Sequence, residues 1–102
     1  MDLSELNRLE QRNEIAGILR RAKALIDTED KWFGPVTHQG PNCALTAINN
    51  ISGKSLGRDN PIYKALMRAM PGASSVAMWN NTHTHAEVMA AFDRAIALAE
   101  QQ

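Results

Sequence analysis

Apolar residues recur at helical spacing along most of the chain. In "IAGILRRAKALI", Ile15, Ile18, Leu19, Ala22, Leu25 and Ile26 fall on one stripe, with Arg20, Arg21 and Lys23 away from it. That pattern predicts an amphipathic helix. Upstream, Leu3, Leu6 and Leu9 recur every three residues in a very polar stretch. Residues 1–14 therefore read as an N-terminal amphipathic arm, which either extends the first helix or stands apart from it, with Ser4 as a candidate cap. A second helix is expected from Pro41, because the N–H that proline lacks would be unpaired at a first helical position anyway. Ala44, Leu45, Ala47, Ile48 and Ile51 supply its apolar face, and Gly53 is its stop. Asn60-Pro61 repeats the cap-plus-proline start. The third helix places Ile62, Leu66 and Met70 on one face beside Tyr63 and Met67, and ends at Pro71-Gly72. In the last helix Val88, Phe92, Ala95, Ile96 and Ala99 form the buried stripe, opposite Glu87, Asp93, Arg94 and Glu100.

Two stretches interrupt the helical rhythm. "DTEDKWFGPVTHQG", from Asp27 to Gly40, contains Gly34-Pro35 and leads into Gly40-Pro41, so it reads as a loop. Trp32 and Phe33 are expected to fold back onto the core, since adjacent aromatics are costly to leave in water. "PVTHQ" could add one short extended piece. In "ASSVAMWN" a helical turn holding Val76 and Trp79, capped by Ser74 or Ser75, is preferred over a strand, because no partner strand is evident. The expected fold is all-α: a small bundle of four main helices with a short helical turn before the last. The arm at 1–14 precedes a single helical domain at 15–102.

A length of 102 residues suits one small domain. Lys plus Arg is 11 and Asp plus Glu is 11. Such a balance gives no electrostatic footprint for nucleic acid or an anionic membrane, so neither is an expected partner, although a local basic patch remains open. The single cysteine, Cys43, excludes an intrachain disulfide and a multi-cysteine zinc site. The charged N-terminus has no signal-peptide core and no apolar run approaches a membrane span. A soluble, cytoplasmic protein is expected.

The densest chemistry lies in "MWNNTHTHAEV", Met78 to Val88. Thr84-His85-Ala86-Glu87 has the form of a capping box, in which the threonine hydroxyl and the glutamate carboxylate each satisfy one free backbone N–H. His83 and His85 then flank a helix start, where an H-x-H pair diverges instead of facing one way as on a strand. With only Cys43 and His38 as further N/S donors, no metal and no cofactor are expected. Cys43 falls near a helix N-terminus, which favours a thiolate. Paired with His83 or His85 as base and Asn80 or Asn81 as orienter, it allows a cysteine-dependent enzyme to be written. The plainer reading is a small buried apolar residue. Asn80 and Asn81 either satisfy a tight turn or recognise a polar ligand beside Trp79. Trp32 and Trp79 are core anchors unless exposed, in which case they mark a binding surface. The glycines lack the order of a phosphate-binding loop.

Taken in order, "ILRRAKALIDT", Trp32 to Gly34, "CALTAI", "SVAMWN" and "THAEVMAAFDRAIALAE" resemble a family of small bacterial and phage proteins of unknown function. The shared order is an amphipathic helix, a Trp-Gly loop, a Cys-Ala-Leu helix, a Trp-Asn turn and a closing Thr-x-x-Glu-Val helix. The resemblance covers residues 15–100 and leaves the first fourteen outside it. Asn81 stands where the pattern implies an aspartate, which weakens an acidic catalytic role there. The resemblance implies no known activity, and it implies a phage or mobile-element setting.

These readings converge on a non-enzymatic protein-interaction module, with a phage-type inhibitor or adaptor of a host protein as its most concrete form. Trp32, His38, Trp79, Asn80, Asn81 and His83 are the candidate partner-binding residues. The alternatives are the enzyme using Cys43 with His83 or His85, and a small-ligand binder at the Trp79-Asn80 turn. A narrow leucine stripe on a short charged helix is expected to dock, and a homodimer through Leu3, Leu6 and Leu9 is the preferred expectation; the alternative is an arm that stays a flexible tail or folds back on its own domain.

Overall fold

The computed structural model describes residues 2–35 and 37–101. The described residues form five α-helices: α1 (Leu3–Leu25), α2 (Ala44–Ser52), α3 (Pro61–Arg68), α4 (Val76–Thr82) and α5 (His85–Gln101). They include no strand, only isolated bridges pairing Trp32 with Asn42 and Phe33 with Gln39. The short extended piece expected in "PVTHQ" is thus reduced to the Gln39 bridge, and its Val36 lies outside the described residues. The all-α bundle is as the periodicity predicts, and the segment before the last helix is helical.

Local capping chemistry sets most of the boundaries. Asp2, not Ser4, caps α1, its Oδ1 accepting from the Glu5 N–H at 2.8 Å. The helix then runs unbroken through residues 3–25, so the leucine-rich stretch and the apolar stripe share one rod. Asn60 Oδ1 accepts from Ile62 N at 2.8 Å, with Pro61 at the first position of α3. Ser75 caps α4 through Met78 N at 3.0 Å. The capping box before α5 is complete: Thr84 N donates to Glu87 Oε1 at 2.9 Å, and Glu87 N donates to Thr84 Oγ1 at 3.2 Å. Only α2 starts later than expected, at Ala44 instead of Pro41. The cause is the preceding loop. Phe33 N donates to Asn42 O at 2.7 Å, which holds residue 42 extended and postpones the helix.

α1 is the spine. It packs antiparallel to α5, as the Lys23–Asp93 and Arg20–Glu100 ion pairs register, and it also contacts α2 and α3. Ala16, Leu19, Ala22 and Ile26 from α1 and its cap meet Val88, Ala91, Phe92, Ala95 and Ala99 from α5 in a continuous core. Small residues on both helices let the two backbones approach, which is why the alanines are as buried as the larger side chains. Tyr63 enters this core and points its hydroxyl at the next element, accepting from the Val76 N–H at 3.1 Å. One phenol thereby joins α3 to the first turn of α4. No helix among the described residues is long and apolar enough to cross a membrane.

Candidate functional site

The loop between α1 and α2 carries the aromatic pair into two different environments. Trp32 is fully buried, while Phe33 stays 46% exposed, so only one of the two folds back as expected. Close packing forces this division. Gly34 lies against the Trp32 ring and Gly40 against the Lys31 and Trp32 backbone, so closely that a Cβ at either would overlap them. The loop therefore has room for one large ring inside and no more.

Asn80 locks that arrangement. It is fully buried on α4, and its Oδ1 accepts from the Trp32 indole N–H at 2.7 Å and from the Ala44 N–H at 3.0 Å. Its Nδ2 donates to Phe33 O at 3.0 Å and to Asn81 Oδ1 at 3.2 Å. The amide thus satisfies a buried indole, an unpaired donor of the α2 start and a loop carbonyl at once. It holds three elements together and presents no free face toward solvent. Asn81, next to it, is exposed.

In front of this framework is a cleft of ≈ 400 Å³. Glu29, Trp32, Pro35 and His38 form one wall, and the α4–α5 junction from Asn81 to His85, with Glu87, forms the other. All three histidines of the chain line it. Each is held differently. His83 stacks on Trp79, with ring centroids 3.7 Å apart and planes 12° from parallel, and its Nδ1 lies 2.8 Å from Trp79 O. A carbonyl only accepts, so Nδ1 carries the proton and Nε2 is the acceptor in the neutral ring. His85 reaches back to α1, with Nε2 2.7 Å from Ile26 O, which leaves Nδ1 as its acceptor by the same reasoning. His38 lies beside the Trp32 ring at 4.9 Å, with Nε2 3.8 Å from Glu29 Oε1. The Thr84 N–H and then the Thr84 hydroxyl hold the Glu87 carboxyl below its ordinary pKa, so it is ionised through its capping role.

The H-x-H pair thus diverges in its anchoring but shares one cleft. Among the described residues no group of three His, Cys, Asp or Glu side chains converges as a metal site would require. Cys43 is elsewhere. It is the N-cap residue of α2 and only partly buried, unlike the buried apolar residue expected of a lone cysteine. Among the described residues its Sγ has one hydrogen-bonding neighbour, the Thr46 hydroxyl at 3.6 Å, and it does not line the histidine cleft. No contact brings it to His83 or His85.

Of the six candidate partner-binding residues, Trp32, His38, Asn81 and His83 line the cleft, while Trp79 and Asn80 stand behind it as supports. Sequence reasoning did not associate His85, Glu29 and Pro35 with this surface. Local spacing gave no sign that Glu29 and His38 would face a junction some fifty residues away. One clue was present: a buried tryptophan needs a partner for its indole N–H, and Asn80 follows the other tryptophan in a segment expected to be helical.

No curated protein and no solved structure gives a match to the chain. A family model does match, over residues 10–98, nearly the whole length. The chain therefore belongs to DUF6197, a family of unknown function.

Proposed function

We propose that the chain is a non-enzymatic protein-interaction module whose recognition surface is the histidine cleft and its rim. The observation that carries this reading is the way the cleft is built. Its interior amide, Asn80, is spent on holding the framework, while Asn81 and Thr82 are exposed and the half-buried His83 and His85, each anchored through one ring nitrogen, line the cleft. Met78, 54% exposed, shares the outer face of α4 with Asn81 and Thr82 at helical spacing, and Phe33 is exposed on the loop that Asn80 ties to that helix. Exposed Met78 and Phe33 beside the cleft are of the residue types enriched at protein interfaces. The cysteine-dependent alternative has no such support, because Cys43 lies outside the cleft. The finer form of the proposal is a phage-type inhibitor or adaptor acting on a host protein in the cytoplasm, where an unpaired cysteine stays reduced.

The test compares wild type with Asn81→Arg as immobilised baits in lysate of the source cell. One protein retained by wild type and lost with the variant, at unchanged unfolding midpoint, is the expected result. Equal retention by both, or none by either, removes the cleft as the recognition surface. A second reading, a small-ligand site, is favoured by the cleft volume alone, which falls within the range of small-molecule pockets. Stabilisation by a small molecule that is lost in Asn81→Arg would select that reading.

A further inference from the structure

The opposite end of the molecule carries a second, unrelated surface. In the antiparallel α1–α5 pair, Arg12 meets the Glu100 carbonyl, so α5 ends alongside the middle of α1, and residues 2–8 form an exposed overhang beyond it. At the base of the overhang, α1, α3 and α5 border a groove of ≈ 280 Å³. Its two long walls repeat one pattern. Arg8 and Arg12 on α1, and Lys64 and Arg68 on α3, each stand four residues apart, so both walls present two cations one helical turn from each other. Ile15, Ala65 and Leu98 supply apolar surface to the same groove, and Leu98 is 38% exposed.

The charge here is lopsided. An adjoining depression shares Lys64 and Arg68 and adds Arg58 but no acid. Together the two gather five of the chain's eleven Lys and Arg residues and one of its eleven Asp and Glu residues, Asp59. Among the described residues none of these five cations enters an ion pair, whereas Arg20, Lys23 and Lys31 each do. Like charges gathered without carboxylates raise the local potential and favour an anionic partner.

We infer that this groove docks an acidic amphipathic helix of another protein. The apolar stripe of that helix rests on Ile15, Ala65 and Leu98. Its carboxylates meet Arg8 and Arg12 on one side and Lys64 and Arg68 on the other. The spacing of the cations selects this occupant, because one helical turn is the interval at which a helix presents acids at i and i+4. The apolar surface separates it from nucleic acid. A phosphate backbone answers the cations alone, and no aromatic side chain among the described residues lines the groove to stack a base. Four cations also outnumber the one carboxylate of a fatty acid. The histidine cleft lies at the other end of the α1–α5 pair, where His85 meets Ile26. The two surfaces are separate, and the inference is independent of what the cleft binds.

Fluorescence anisotropy tests it with a fluorescein-labelled, terminally blocked peptide of leucine and glutamate, built so that glutamates border a leucine stripe at helical spacing. The full chain should bind this peptide with micromolar affinity, and more weakly at high salt. Lys64→Glu with Arg68→Glu, both at exposed positions, should weaken binding at least about tenfold at an unchanged unfolding midpoint. The same double variant should prefer the lysine counterpart of the peptide, an inversion that misfolding does not produce. Leu98→Ser should weaken binding by about tenfold through lost apolar contact. Asn81→Arg should leave it unchanged, so that failure at the groove and failure at the cleft are told apart. No binding at about 100 µM peptide overturns the proposal. So does binding indifferent to the charge reversal or to Leu98→Ser, or tighter binding of a serine–glutamate peptide, a DNA oligonucleotide or oleate.

Discussion

Removing the Asn80 side chain strands several partners at once. Asn80→Ala leaves the Trp32 indole N–H and the Ala44 N–H without an acceptor, and the Phe33 carbonyl without a donor. Each buried unpaired group costs on the order of 1–3 kcal/mol, so a loss of roughly 3 kcal/mol or more is expected in denaturant unfolding, with Trp32 fluorescence reporting the opened loop. A loss below about 1 kcal/mol would show that water replaces the amide easily. Cys43 calls for the opposite expectation. It occupies an N-cap position where serine is among the best residues, so Cys43→Ser should leave the midpoint unchanged or raise stability by up to about 1 kcal/mol. A clear destabilisation would mean that the thiol packs as an apolar group. The two residues differ because Asn80 bonds across elements, while Cys43 bonds only within the first turn of α2.

At the scale of elements, the 26–43 loop is as tightly specified as any helix. Gly40→Ala would drive a methyl into the Lys31 carbonyl, a backbone obstacle that cannot rotate away. A loss of about 3 kcal/mol is expected, near the upper end of overpacking costs. A native-like midpoint would show that the loop shifts freely. The start of α5 gives a pH-dependent counterpart. Because folding lowers the Glu87 pKa, its contribution is present above the ordinary glutamate value of about 4.3 and is lost as pH falls through the folded value below it. Glu87→Gln keeps a capping acceptor but no charge. Its stability deficit against wild type should be visible at neutral pH and disappear in strong acid, as read from urea midpoints across pH. A deficit independent of pH would assign the effect to geometry alone.

For the whole molecule, α1 is both a core element and a projection, and the two roles separate by position. From Ala16 onward one face is buried, through Ala16, Ile18, Leu19 and Ala22, while residues 2–8 are exposed. A chain beginning at Leu9 should therefore keep its unfolding midpoint at low micromolar concentration. A truncated chain that unfolds several degrees lower when dilute would mean that the overhang supports its own domain. The surface ion pairs along α1 and α5, such as Lys23–Asp93 at 2.7 Å, register the two helices but contribute little stability of their own.

Features that depend on neighbours within one or two turns were legible along the chain. Apolar stripes at 3.6 spacing located the helices, Asn60-Pro61 and Thr84-x-x-Glu87 marked starts, and Gly53, with φ 75°, marked a stop. These signals are legible because the hydrogen bonds concerned close between residues two to four apart. Tertiary structure alone decided the rest. That Asn80 would be a buried tie instead of a turn residue depended on Trp32, forty-eight positions away. That three histidines would share a cleft depended on how the 26–43 loop folds over the α4–α5 junction. A neutral sequence concealed a groove between α1, α3 and α5 that gathers Arg8, Arg12, Lys64 and Arg68, because net charge sums over the surface while packing sorts side chains onto one face. Such placements arise from contacts between distant segments, whose pairing no local pattern encodes.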